Sequence, residues 1–297
     1  MGHQEPARSS VRRTTAHIPR LPRSISAAMR GARRAGSLLE PLLVSSSELI
    51  GYLPYRAYGR TLHYRVDNVH HLEATQAEPP GILFFFDGDY LLRSNSRLLS
   101  RTSSLRRDLA DIAREYRMLC VPVLAPGTLE APVFNDPTTT WWVRARRNGR
   151  VFRALAADLA ERYGYDRTRI WLAGYSGGAE FITYELLSHS NDWLLGGGAS
   201  MIGGGGSDGI PQRFRGPSRS LNGMLLSWHV GDRDGKAPAS AGQIWSAQRA
   251  AHEGEEFYRG RQARTMLRIL PKQGHRGYPL TSLIRDDLRA ATRLGYL

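Results

Sequence analysis

The run Ile82-Leu83-Phe84-Phe85-Phe86 limits the possible folds more than any other stretch of this chain. Consecutive apolar residues leave a strand no face for water, so the run predicts a strand covered on both sides, as in a parallel sheet. Met118–Leu124 is a second run of strand length, and Arg169–Ala173, Leu195–Ile202, Met224–Val230 and Met266–Leu270 follow. Upstream, Leu62, Tyr64 and Val66 alternate with His63 and Arg65, the period of a half-buried strand. Leu105, Leu109, Ile112, Ala113 and Tyr116 fall on one helical face, as do Val151, Phe152, Leu155, Leu159 and Tyr163. Further helices are expected at 179–187, near 240–252 and at 281–293. Strands separated by helices of this length predict an α/β fold, a mostly parallel central sheet flanked by helices on both faces.

Composition narrows the function. The 297 residues carry a formal net charge of +14, but of 41 basic residues only Lys236 and Lys272 are lysine. A GC-rich genome explains that bias as well as phosphate binding does. No recognition helix or RNA-binding motif accompanies the charge, so no specific nucleic-acid partner is expected. Much of the charge lies at the N-terminus, and residues 1–47 read as a basic, disordered extension ahead of a single domain at 48–297. Arg12-Arg13 is not followed by an apolar segment, so no twin-arginine signal is expected. No stretch approaches the roughly eighteen apolar residues of a membrane span. Cys120, the only cysteine, lies within an apolar run, which predicts a buried thiol and excludes an intramolecular disulfide. A cytoplasmic location is the expectation.

The pattern Gly-x-Ser-x-Gly occurs twice, at Gly174-Tyr175-Ser176-Gly177-Gly178 and at Gly205-Gly206-Ser207-Asp208-Gly209. Chemistry needs the serine in a tight strand-to-helix turn that exposes its hydroxyl. Ser176 has that context, with Arg169–Ala173 before it and the helix-forming Ala179–Leu187 after it. Ser207 is followed by Pro211 and Pro217 and reads as a flexible turn.

A serine hydroxyl needs a base, and the base needs a carboxylate to orient it. In the α/β-hydrolase arrangement these follow in the order Ser, acid, His. Of the histidines after Ser176, His189 ends a helix, His252 lies in a helical pattern and His229 sits inside a strand. His275 alone occupies a loop just past a strand, in Gln273-Gly274-His275-Arg276-Gly277. The acid is expected after Met224–Val230, where Asp234 is preferred because the turn after Gly231 gives it reach, with Asp232 as the alternative. The oxyanion donors are expected at the backbone N–H of Gly177 and of Asp89 or Tyr90, in the loop Asp87-Gly88-Asp89-Tyr90. No metal or organic cofactor is implied, and no histidine spacing suits a metal.

With these residues in place, the chain resembles the α/β-hydrolase esterases related to polyhydroxybutyrate depolymerases and feruloyl esterases. The resemblance covers roughly residues 80–297 and is most specific at Trp141-Trp142 and from Tyr165-Asp166-Arg167-Thr168-Arg169 through Gly178. It implies an α/β-hydrolase fold, Ser176, Asp234 and His275 as a triad, and a small or oligomeric carboxylic ester as substrate. The chain has Asp87-Gly88 where that group commonly has His-Gly. The side chains of Asp87 and Asp89 are therefore expected to point away from the oxyanion or to be paired. Tyr90, Tyr175, Trp141 and Trp142 are candidate pocket residues, although both tryptophans equally suit the edge of the core. The same triad would also serve acyl transfer, and a catalytically silent binding protein is the alternative of a different class.

Overall fold

The computed structural model describes residues 51–73, 78–90, 93–126, 139–141, 144–189, 193–210, 221–235 and 245–297. The expected extension at 1–47 and Trp142 lie outside the described residues. Among those described, eight strands form one sheet: β1 (Leu53–Ala57), β2 (Arg60–Tyr64), β3 (Gly81–Phe86), β4 (Met118–Leu124), β5 (Ile170–Tyr175), β6 (Gly197–Ile202), β7 (Met224–Gly231) and β8 (Arg264–Leu270). Their spatial order is β1-β2-β4-β3-β5-β6-β7-β8. The six strands that follow β2 in this order are mutually parallel, whereas β2 pairs antiparallel with both of its neighbours, β1 and β4. The helices are α1 (Val69–Glu73), α2 (Leu105–Glu115), α3 (Ala145–Tyr163), α4 (Gly177–Phe181), α5 (Ala247–Arg259) and α6 (Leu280–Arg293).

The run that opened the sequence argument is β3, buried along its whole length. Alternate side chains divide between two cores, as strand geometry requires. Ile82, Phe84 and Phe86 join the core under α3, α4 and α5, which includes Phe152, Leu155, Phe181 and Tyr258. Leu83 and Phe85 join the opposite core with Leu109 and Ile112 of α2 and Leu283 and Ile284 of α6. Cys120 is buried in this second core. No described helix is long and apolar enough to cross a membrane.

The structure departs from the expected elements in three places. Strand β1 was not anticipated, because it is largely exposed at the sheet edge and contains Pro54. It forms a hairpin with β2 through Tyr58-Gly59, both at positive φ (51° and 68°), the two-residue turn that matches strand twist. The helix expected near 240–252 is Ala247–Arg259. Ser246 sets its start, extended in backbone and accepting a hydrogen bond from Arg249 N–H at 3.3 Å. The helix after Ser176 begins at Gly177 and passes into a π-helical turn at Ile182–Leu186.

Candidate active site

Ser176 sits where β5 ends and α4 begins, with φ 51° and ψ −119°. That conformation is strained for a residue with a side chain, by about 1–3 kcal/mol, and is held from both ends. Ser176 N–H donates to Ile202 O at 2.9 Å, tying the turn to β6. A Cβ on Gly174 would lie 2.6 Å from Gly178 C, and one on Gly178 would lie 2.1 Å from Phe86 O. The two outer glycines of the motif are thus required by backbone approach, between strand and helix and between helix and β3.

Ser176 Oγ lies 2.9 Å from His275 Nε2. His275 Nδ1 lies 3.0 and 2.9 Å from the two carboxylate oxygens of Asp234. A carboxylate only accepts, so Nδ1 carries the proton and Nε2 is left to accept from the serine. Asp234 is buried, Ser176 and His275 are half-buried, and the line is therefore supported from inside and open at the serine.

The two loops that carry the acid and the histidine are zipped together beyond the β7–β8 pair. Asp232 N–H donates to Leu270 O at 3.0 Å and Arg233 N–H to Gln273 O at 3.0 Å. A Cβ on Gly231 would stand 1.9 Å from Gln273 O, so only glycine lets the loops approach this closely. Tyr278 locks the acid by donating its hydroxyl to Asp234 Oδ2 at 2.6 Å while accepting from Gly231 N–H at 2.8 Å. Burial, then the bond to Asp234, pushes the Tyr278 phenol far up, so it remains a donor. Asp232 has no such contact with His275. Its Oδ1 is buried without a hydrogen-bond partner.

The loop after β3 abuts the serine, since a Cβ on Gly88 would lie 3.4 Å from Ser176 Cβ. Tyr90 N–H is taken by Thr139 O at 3.1 Å, which removes it as an oxyanion donor and leaves Asp89 N–H as the candidate beside that of Gly177. Asp87 is buried and paired. It accepts from Gly88 N–H at 2.9 Å, Ser96 Oγ at 2.9 Å and Arg97 N–H at 3.1 Å, with the Arg97 guanidinium at 3.5 Å. The Asp89 carboxylate accepts from Trp141 N–H at 3.1 Å and is packed against Gly177.

Tyr175 stacks on His275 with ring centroids 5.4 Å apart, and its hydroxyl donates to His275 O at 2.5 Å. Burial pushes its phenol up to about 12. The Arg97 guanidinium lies 4.5 Å from the same ring. Trp141 is fully buried, stacked on Phe181 at 4.7 Å and edge-on to Phe86 at 5.2 Å. Of its two readings this is the core one. Ser207 accepts from Ile210 N–H in a turn and is not the serine on His275. His229 is buried with Asp287 at 2.8 Å, and Ser200 donates to the same carboxylate at 2.6 Å. This second Ser-Asp-His group lies inside the core, where no substrate enters.

Three neighbours of the site were missed from sequence. Tyr278 has no local signal, since its role depends on a loop 44 residues away. Trp245 meets the His275 ring edge-on at 5.6 Å and is partly exposed. Glu180, four residues after the serine, is buried and accepts from Gly205 N–H at 3.0 Å and Gly206 N–H at 2.9 Å. An acid on an otherwise apolar helical face was the one available clue.

No family model matches the chain, and no curated protein sequence matches it either. Solved structures do. A carboxylesterase from Mesorhizobium loti superposes with a TM-score of 0.53 at 16% identity, over 80% of this chain and 99% of that one. A ferulic acid esterase gives 0.54 at 12% identity, over 82% and 97%. A thermostable esterase gives 0.51 at 13% identity, over 84% and 63%. At these identities the likeness concerns the fold, and the fold is that of the α/β hydrolases.

Proposed function

We propose that the protein is a serine hydrolase that cleaves carboxylic esters through an acyl-enzyme on Ser176. The observation that carries this reading is the unbroken hydrogen-bonded line from Ser176 Oγ through His275 to Asp234, at a strained turn. His275 Nε2 takes the hydroxyl proton as Oγ bonds to the ester carbonyl carbon. The backbone N–H groups of Gly177 and Asp89 receive the resulting oxyanion, and Asp234 stabilises the imidazolium. Collapse breaks the bond to the alcohol, which leaves with the proton from His275. Water, deprotonated by the same nitrogen, then attacks the acyl-enzyme and releases the acid. The esterases with which the fold aligns are in keeping with this chemistry.

A fluorophosphonate probe tests the reading. The wild-type chain should label at Ser176, and Ser176→Ala should not label and should lose on the order of 10,000-fold or more in kcat on p-nitrophenyl esters. Equal labelling of both proteins would sink the assignment.

A further inference from the structure

Tyr278 joins the site at the carboxylate on which the serine-hydrolase reading depends. Among the described residues, the Asp234 carboxylate has two donors, His275 Nδ1 and the Tyr278 hydroxyl, and no backbone N–H. Both meet Oδ2, at 2.9 and 2.6 Å. The phenol oxygen accepts from Gly231 N–H at 2.8 Å, which leaves its own proton for the carboxylate. The ring is fixed as well. It is buried, edge-on to Tyr175 at 6.0 Å, and a Cβ on Gly203 would lie 2.9 Å from Tyr278 Cε2. Asp234 is itself buried, so water does not replace this donor.

Asp234 and His275 titrate as a pair, negative when the imidazole is neutral and uncharged overall once it is protonated. A hydrogen bond to a charged acceptor is stronger than one to a neutral group. The Tyr278 hydroxyl therefore favours the negative pair, the form in which His275 Nε2 can accept the serine proton. Other charges act on the pair. Tyr175 stacks on His275 with Arg97 and Asp87 behind it, and Glu180 reaches it through Trp245. Asp232 and Arg233 precede Asp234 in its turn, and Arg276 follows His275. None of these groups donates to the Asp234 carboxylate.

We infer that Tyr278 is a positioning residue whose hydrogen bond to Asp234 keeps His275 working as a base toward lower pH. The inference rests on the hydrolase reading above and concerns the pH range of that same site. The test is the acid limb of kcat/KM for p-nitrophenyl acetate, which reports protonation of the base in the free enzyme. Tyr278→Phe keeps the ring and removes the donor. It should move the limb up by about one pH unit, the difference between a charged and a neutral hydrogen bond. Placing 3-fluorotyrosine at position 278 keeps both hydrogen bonds with a more acidic donor, and should move the limb down. Tyr175→Phe removes a phenol that donates to His275 O and not to the carboxylate, so its limb should stay in place even if kcat falls. A limb unmoved by Tyr278→Phe, with kcat lowered equally at every pH, is the mark of a merely structural residue and would overturn the inference. So would an equal shift in Tyr175→Phe. If Tyr278→Phe does not fold, a limb that fluorination leaves in place or raises overturns it alone. Absence of both ester hydrolysis and fluorophosphonate labelling in the wild type would overturn the hydrolase reading, and the inference with it.

Discussion

Asp234 and Asp232 are separated by one residue, yet only Asp234 meets the histidine. The difference lies in the backbone turn. Asp232 N–H is drawn into the β8 side by Leu270 O, whereas Asp234 N–H folds back to Gly231 O at 3.1 Å and swings its carboxylate toward His275. Replacing Asp234 by Asn would let the ring keep its proton on Nε2, where it cannot accept from the serine. Asp234→Asn should therefore lower kcat by about ten-thousand-fold, with Asp232→Asn within about tenfold of wild type, both measured on a p-nitrophenyl ester. The reverse ranking would reassign the acid. The three side chains that the sequence set in order are the three that the structure aligns, because strand-loop context is local and readable. Tyr278 and Trp245 were not legible, since their contacts join segments that only the sheet brings together. Which way the Asp89 carboxylate turns was equally out of reach, because Trp141 N–H comes from 52 residues away.

At the level of elements, burial on both faces explains why β3, β4 and β5 were legible and β1 was not. An apolar run advertises a buried strand, but an edge hairpin with one exposed face carries no such signature. The helix after Ser176 shows the opposite problem, in which local pattern hides a tertiary demand. Glu180 lies within it, and burial raises its pKa against the lowering effect of hydrogen bonds from Tyr184, Gly206, Gly205 and Trp245. That carboxylate ties α4 to the glycine loop after β6 and reaches Trp245 beside His275. Glu180→Ala would leave the Gly205 and Gly206 N–H groups buried without an acceptor. Unsatisfied buried donors cost about 1–3 kcal/mol each, so urea unfolding should report a loss of about 2–4 kcal/mol. A loss below about 0.5 kcal/mol, the range of ordinary surface changes, would show that the loop does not depend on this contact.

Over the whole molecule, the +14 charge and the buried phenols act in different pH ranges. Many described surface arginines pair with nearby acids, such as Arg285 with Glu115 at 3.0 Å and Arg162 with Asp158 at 2.7 Å. Exposed pairs of this kind contribute little, typically under about 1 kcal/mol, so they do not govern stability. The tyrosines carry a clearer dependence. Burial pushes Tyr165 and Tyr175 up to about 12 and raises Tyr52, Tyr184, Tyr258 and Tyr278 further. In the unfolded chain a phenol ionises near pH 10. Between about pH 10 and 12 the unfolded state has therefore released protons that the folded state still holds. The unfolded state then binds fewer protons, so stability is fully present below about pH 10 and falls as the pH rises. Urea titrations at pH 9, 10 and 11 should show that fall. Tyr165→Phe removes one such group, together with its hydrogen bond to Ala156 O at 2.9 Å. The lost bond lowers stability at every pH, whereas the lost ionisation makes the alkaline fall shallower, by up to about 1.4 kcal/mol per pH unit. A variant whose curve runs parallel to the wild type would show that Tyr165 ionises as readily folded as unfolded.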